Sequence, residues 1–408
     1  MNIDLERLRK DIEDLARIGR DPRGGVTRPS FSQADFEART WLKDRICEAG
    51  LCYRQDGAGN IFGRLGGDGR TVLVGSHLDT VINGGAFDGA VGVLAALECL
   101  RRIKEQDIEL NKPLELVSFT DEEGNLVGDF LGSRAFAGSL NREEVEKGLT
   151  PFGRPLKAIL EGTEFSQESI LEAHRQRPEL EAYLELHIEQ GANLEMEDVS
   201  IGIVERVAGK IYRQCSFVGQ AAHSGTTPLE LRHDAFLATA DFALRGTQLV
   251  ATQHYGSMIT VGKVTVHPGS FSIVPGKVDF TLDVRSSSGE TLQALDRQLQ
   301  ELAEDIAATR GAAFYSRTID RTEPVALSEH IIGIMKEESG KLGYSWMPLT
   351  SGAGHDAQII ASLAAAGMIF IPCRDGISHS PDEMIDWADL EKGANLLLRT
   401  ILRLAGRS

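Results

Sequence analysis

The chain has 408 residues, and its 43 Lys and Arg against 60 Asp and Glu leave a net charge of −17. That excess of negative charge disfavours nucleic acid and anionic membrane surfaces as partners. A composition 42% hydrophobic and 25% charged excludes disorder as the main state, and the length suits two or three domains.

Ile3, Leu5, Leu8, Ile12, Leu15 and Ile18 recur near helical spacing and predict a helix over 3–18, ended by Asp21-Pro22 and Gly24-Gly25. A second helix is expected from Ser32, as N-cap, to Ala49, stopped by Gly50. Strands are predicted at Asn60–Leu65 and Thr71–Gly75, around the turn Gly66-Gly67-Asp68-Gly69. Leu114–Thr120, Ala182–Ile188 and Met368–Pro372 read as further strands, and Val91–Gln106, Glu329–Leu342 and Ala357–Ala366 as helices. Strands alternating with helices imply a layered α/β domain. Residues 210–324 differ: strands Ile211–Val218, Met258–His267 and Val278–Arg285 are interrupted by helices at about 231–249 and 290–309. The expected organisation is an α/β catalytic domain of residues 1–209 and 325–408, with a smaller α+β domain, 210–324, inserted into it.

The five cysteines (Cys47, Cys52, Cys99, Cys215, Cys373) are odd in number, widely spaced and without a CxxC, as expected for reduced thiols in the cytoplasm. The charged first twenty residues show no signal peptide, and no run of eighteen apolar residues suggests a membrane span.

Chemistry-bearing residues gather at predicted strand ends, where α/β folds place ligand-binding side chains. Ser76-His77-Leu78-Asp79-Thr80 follows one strand, and the glycine-rich Gly84–Gly89, carrying Asp88, leads from it into a helix. Asp121-Glu122-Glu123-Gly124, His187 within Leu186–Gly191, and His379 within Gly376–Pro381 follow three other β-rich runs. Taken singly, each is equally a turn histidine, an N-cap or a solvated acidic loop. Together, three imidazoles with Asp88 and Glu123 suit a pair of borderline divalent ions such as Zn or Mn. A pair about 3.5–4 Å apart needs a bridging carboxylate, and Asp88 is the natural one. A cation would also relieve the repulsion within the acidic run, leaving one of its carboxylates to act as a base.

These motifs resemble the co-catalytic metallohydrolase family that includes carboxypeptidase G, aminoacylase and related peptidases. More narrowly they resemble its hydantoinase/carbamoylase branch of N-carbamoyl-L-amino-acid hydrolases, allantoate and ureidoglycolate amidohydrolases and β-ureidopropionases. The marks are GSHLDT (75–80), GGAFDGAVGV (84–93), TDEEG (120–124), GSRAFAG (132–138), LHIEQG (186–191), HSGTTP (223–228), SGAGHDA (351–357) and RDGISHSPDE (374–383), with the likeness starting at Gly24–Arg28 and running to about Trp387. LHIEQG is the most diagnostic, because peptidase branches usually carry an acidic ligand where His187 stands.

The resemblance implies that His77, Asp88 and His187 hold one ion (Zn, or Mn, Co or Ni), and that Asp88, Glu123 and His379 hold a second. It implies Asp79 orienting His77, and Glu122 as general base toward a metal-bridging water. It implies that the inserted domain is a lid that dimerises, with His223 steadying the oxyanion in the partner subunit's site. Gln190, Arg285, Ser272 and His355 are the implied contacts for a small substrate carrying a carboxylate. The implied reaction is hydrolysis of the linear C–N bond of an N-carbamoyl-amino acid or similar ureido acid. Alternatives are an N-acyl-amino-acid hydrolase or dipeptidase-like enzyme, and a non-catalytic binding protein on the same scaffold. Two departures bear on substrate: Ser272 stands where relatives usually have Asn, and Asn125–Asp129 departs from the usual run after the acidic pair, suggesting an altered pocket lining. Gly352–Ala357 formally matches GxGxxA, but no β run is predicted before it, which argues against a dinucleotide site.

Overall fold

Asp4 accepts the N–H of Arg7 and Ser32 that of Asp35, and these caps start helices Leu5–Leu15 and Gln33–Glu48. The computed structural model describes residues 1–151 and 153–406. Among these the strands are β1 (Cys52–Gln55), β2 (Ile61–Leu65), β3 (Thr71–His77), β4 (Leu114–Phe119), β5 (Leu180–Ile188), β6 (Ile201–Val207), β7 (Gly209–Val218), β8 (Ala222–His223), β9 (Met258–His267), β10 (Ile273–Val274), β11 (Lys277–Ser286), β12 (Ala313–Thr322), β13 (Val325–Ala326), β14 (Trp346–Ser351) and β15 (Ala365–Ile371). The chain divides into two compact units: Met1–Glu205, Leu327–Leu349 and His355–Ser408 form the first, Arg206–Ala326 and Thr350–Gly354 the second. The second unit thus includes a short returning segment that the sequence placed in the first.

The larger sheet has the order β1-β2-β4-β3-β5-β15-β6-β13, with β14 also on β6. Its centre is parallel: β3 pairs in parallel with β4 and β5, and β5 with β15. β2 and β6 flank that centre in antiparallel pairing. The four parallel strands therefore open their carboxyl ends along one edge. Strands buried on both faces need apolar residues throughout, and β3, β4 and all but the second residue of β5 are buried. Helix Ala90–Glu105 packs on β3 and against helices Leu5–Leu15 and Trp387–Ala405, which is why it is apolar nearly all round.

In the second unit, β12-β7-β11-β9 form an antiparallel sheet. Helices Ala235–Gln253 and Gly289–Thr309 pack on it around Phe217, Phe242, Phe280, Leu292, Leu295 and Leu299. Along β11 the residues Val278, Phe280, Leu282 and Val284 are buried, while the alternate set, including Asp283 and Arg285, lies on the other face. β8 and β10 form a separate pair with His223 opposite Ile273.

Three local expectations change. The helix predicted at Ala357–Ala366 is only Asp356–Ile360, because Ala365–Ile371 must extend to pair with β5 and β6. β3 runs two residues further than predicted, so His77 is its last residue rather than part of the loop after it. A strand, β14, does lead into Gly352, but the helix beyond it has five residues and starts beside His355, whose ring packs on His187 at 4.6 Å. That leaves no long helix N-terminus for a dinucleotide.

Candidate metal centre

The carboxyl ends of four strands bring His77, Glu122, Glu123, His187 and His379 together, and the loop after β3 adds Asp88. Asp88 faces both ways. Its Oδ1 lies 3.1 Å from His187 Nε2 and 3.4 Å from His77 Nε2, and its Oδ2 lies 3.2 Å from His379 Nε2. Glu123 Oε1 is 3.5 Å from His379 Nε2, and Glu122 Oε2 is 3.7 Å from His77 Nε2. Two groups result, His77–Asp88–His187 and Asp88–Glu123–His379, each with ligand atoms within 4.8 Å of one another.

The tautomers support a cation. His77 Nδ1 lies 3.0 Å from the Asp79 carbonyl oxygen and His187 Nδ1 lies 2.9 Å from that of Ile188, so both N–H groups donate to backbone. That turns both Nε2 lone pairs toward Asp88. The Gly89 N–H donates to His187 Nε2 at 3.2 Å, whereas buried His77 Nε2 has no hydrogen-bond partner. A neutral Nε2 aimed at a carboxylate is repelled unless a proton or metal lies between them. Gly89 permits the approach: at φ +62°, a Cβ there would sit 2.5 Å from the His77 ring.

Without a cation the groups share protons instead. Burial opposes ionisation of Asp88, yet His187, His379 and His77 hold it well below the usual carboxylate range. Burial raises Glu122 well above that range, with Glu123 adding repulsion against the pull of His77. Burial and Asp88 raise Glu123 to about 8, and the hydrogen bond to Asp88 raises His379 to about 9. Charges of +2 would reverse these preferences.

Asp79 meets His77 chiefly through its backbone. Its carboxylate Oδ1 is 3.7 Å from His77 Nδ1, and its backbone carbonyl makes the hydrogen bond instead. The two carboxylate oxygens accept the N–H groups of Glu122 and Glu123, both at 3.2 Å, so Asp79 fixes the peptide that presents the acidic pair. Asp121, at φ +58°, closes the same loop by accepting the N–H groups of Asn125 and Leu126. The unusual 125–129 run does not simply line a pocket, because Leu126 and Val127 are buried with Phe31, Leu131 and Phe165.

Three groups escaped the sequence reading. Arg28 is 1% exposed and donates to the carbonyls of Leu78, Leu15 and Ile18. Burial lowers it to about 10 while Asp35 and Asp79 support its charge. A buried guanidinium without such partners would cost several kcal/mol, so Arg28 holds the peptide between His77 and Asp79 and is held by it. Glu185 lies within ligand distance of His187 and His355. Its oxygens are engaged by Ser76 Oγ, Tyr183 OH and the Ala357 N–H, which leaves it ill suited to an ion. Glu383 ties two ligand loops together. Unlike the histidines, none of the three stands out by spacing.

Gln190, at φ +56°, donates to Asp88 Oδ2 at 2.6 Å. His355 is 1% exposed behind His187, and burial holds its imidazole well below the usual range. Arg285, His223 and Ser272 belong to the second unit. Arg285 donates to both Asp283 oxygens, to Tyr212 OH at 3.1 Å and to the Gly352 carbonyl at 2.7 Å. His223 is exposed, and Ser272 meets the same segment through its carbonyl, which accepts the Ser224 N–H at 2.9 Å.

Parallel strands ending in a carboxylate-sharing imidazole cluster, with His77 and His187 buried and His379 exposed, define an α/β protein with a candidate metal centre. The chain belongs to Peptidase family M20/M25/M40, which it matches over residues 73–403. It is 37% identical over 404 residues to an N-carbamoyl-L-amino acid amidohydrolase of Geobacillus stearothermophilus, covering 98% of each chain. It is 34% identical over 402 residues to an allantoate amidohydrolase of Bacillus subtilis (strain 168), covering 97% of this chain and 96% of that one. A hydantoinase/carbamoylase family amidase from Burkholderia multivorans superposes with a TM-score of 0.91 at 34% identity, over 99% of this chain and 98% of the other.

Proposed function

We propose that the chain is a metal-dependent amidohydrolase that cleaves the linear C–N bond of an N-carbamoyl-amino acid or similar ureido acid. The observation that carries this reading is the pair of ligand groups sharing Asp88, with Glu122 beside them and outside both. His77, Asp88 and His187 would hold one divalent ion, and Asp88, Glu123 and His379 the other. Such ions, when bound, supply Lewis acidity toward a carbonyl and raise the acidity of water. Glu122 takes the proton of the attacking water and delivers it to the leaving nitrogen. Asp79 keeps Glu122 and Glu123 in register through their N–H groups. The amine departs as the C–N bond breaks, and the carbamate formed decomposes to carbon dioxide and ammonia.

On the same reading Arg285 binds the substrate carboxylate through the N–H groups that Asp283, Tyr212 and Gly352 leave free. Gln190, His355 and Ser272 complete the contacts, and His223 steadies the oxyanion in a partner subunit's site. A homodimer is supported by the second unit's surface: β9 pairs only with β11 among the described residues, and Met258 and Tyr255 beside it are strongly exposed. All five cysteines carry free thiols, which supports the cytoplasmic reading. Among the described residues no helix is long and apolar enough to cross a membrane.

The test is ammonia release from N-carbamoyl-L-amino acids, allantoate and N-carbamoyl-β-alanine by metal-stripped enzyme reloaded separately with Zn, Mn or Co. Metal-dependent ammonia from one ureido acid supports the proposal. Amine release from N-acetyl-amino acids or dipeptides alone moves the chain to the acylase-like alternative.

Two further outcomes are expected. Arg285→Ala raises KM for carboxylate substrates by about 10–100-fold, the loss of a charge-assisted pair of about 1.5–3 kcal/mol, and leaves metal content unchanged. Lost metal would remove Arg285 from this role. Metal loading is also pH-dependent, because Glu123 and His379 keep protons to about 8 and about 9 in the metal-free chain. Ions must displace those protons, so affinity rises with pH across this range. Calorimetric zinc titrations from pH 6.5 to 9.5, in buffers of different ionisation enthalpy, read both the trend and the protons released.

A further inference from the structure

The loops carrying Asp88 and His379 lie nearly three hundred residues apart in sequence, and one buried side chain joins them. Glu383 is 3% exposed. Its Oε1 accepts the N–H of Phe87 at 2.9 Å and that of Asp88 at 3.1 Å. Its Oε2 lies 2.8 Å from Ser378 Oγ, and that hydroxyl is also 3.0 Å from Asp88 Oδ2. The single Ser378 proton thus sits between two carboxyl groups, one of them the group shared by both ligand triads. A Cβ on Gly85 would lie 1.9 Å from Glu383 Oε1, so glycine alone leaves room for the carboxyl. Burying an acid beside Asp88 is costly, and both burial and Asp88 push Glu383 above the usual range. Two backbone N–H groups and a hydroxyl offset that cost.

We propose that Glu383 is a positioning residue that locks the Asp88 loop to the His379 loop and so sets the geometry of the second ion's ligands. The inference rests on the two-ion reading above. It also predicts an asymmetry. His77 is the last residue of β3 and His187 the last but one of β5, both held by sheet pairing, and both face Asp88 Oδ1. His379 lies in irregular chain at φ +55°, beside Ser378, and faces Oδ2. Removing Glu383 therefore weakens the Asp88–Glu123–His379 group more than the other, which keeps two ligands fixed by the sheet.

The experiment is zinc titration of the metal-stripped full-length protein against a competing chelator, with thermal melting of the metal-free form as a control on folding. Glu383→Ala is expected to bind the weaker zinc 10–100-fold less tightly, the usual effect of losing a group that orients a ligand, and to keep the tighter one within threefold. Glu383→Gln keeps an acceptor for the two N–H groups and is expected to restore the weaker affinity to within threefold. Ser378→Ala, which cuts only the hydroxyl link, and Gly85→Ala, which displaces the carboxyl, shift the same ion in the same direction. They serve as the test if Glu383→Ala does not fold. Two zinc ions bound with wild-type affinities by Glu383→Ala, or by both substitutes, overturn the proposal. Equal weakening of both ions also overturns it, because that is the mark of a general structural role. Wild-type protein that binds fewer than two zinc ions overturns the two-ion reading itself.

Discussion

Glu122→Gln is expected to lower kcat by about 10²–10⁴-fold while the protein still binds two ions. Glutamine keeps the shape and the backbone contacts, including the Glu122 N–H to Asp79 and the Glu122 carbonyl that accepts the Phe130 N–H. What it removes is a carboxylate outside both ligand groups, 3.7 Å from His77 Nε2. Burial and Glu123 already disfavour ionised Glu122 in the metal-free chain, so a neutral side chain there leaves Tm unchanged or raises it. Elemental analysis, melting and steady-state kinetics on one preparation separate the effects. Retained metal with kcat within threefold of wild type would remove Glu122 as the base. Retained metal and ligand binding with no turnover in the wild type would favour the binding-protein alternative.

Asp88→Ala is expected to lose both ions, and with them activity on the order of 10³-fold or more, the several kcal/mol that bound metal supplies to a transition state. The basis is the division of its oxygens between His77 and His187 on one side and His379 on the other. His379→Ala touches one group only and is expected to keep one ion. Metal per chain by elemental analysis then falls from two in wild type to one in His379→Ala and to near zero in Asp88→Ala. One ion left in Asp88→Ala would show that Asp88 is not shared.

Much of this arrangement was legible in the sequence, for a physical reason. A parallel sheet needs apolar strands, and such strands followed by His or acidic residues mark the edge where function collects. Hence His77, Glu122, Glu123, His187 and His379 could be named from strand-end placement, and Asp88 from its glycine-rich loop. Less regular segments were not legible. β12 is largely exposed, so its residues carry little of the alternation that marks a half-buried strand. The alanine-rich run before β15 favours a helix locally, and only pairing with β5 and β6 overrides it. Arg28 and Glu383 act through hydrogen bonds to backbone groups distant in sequence, and spacing records no such partner.

The parallel centre of the larger sheet has a temporal consequence as well. The His77–Asp88–His187 group is complete once β3 and β5 have emerged, whereas the second group waits for β15 and His379. Roughly two hundred residues of synthesis separate the two events, which is about 10–40 s at ribosomal speeds. The pairing of β15 with β5 closes a long loop, the kind of contact that folds late. The three residues of one candidate group are therefore synthesised before His379 of the other, an order that a refolding experiment with the finished chain would not reproduce.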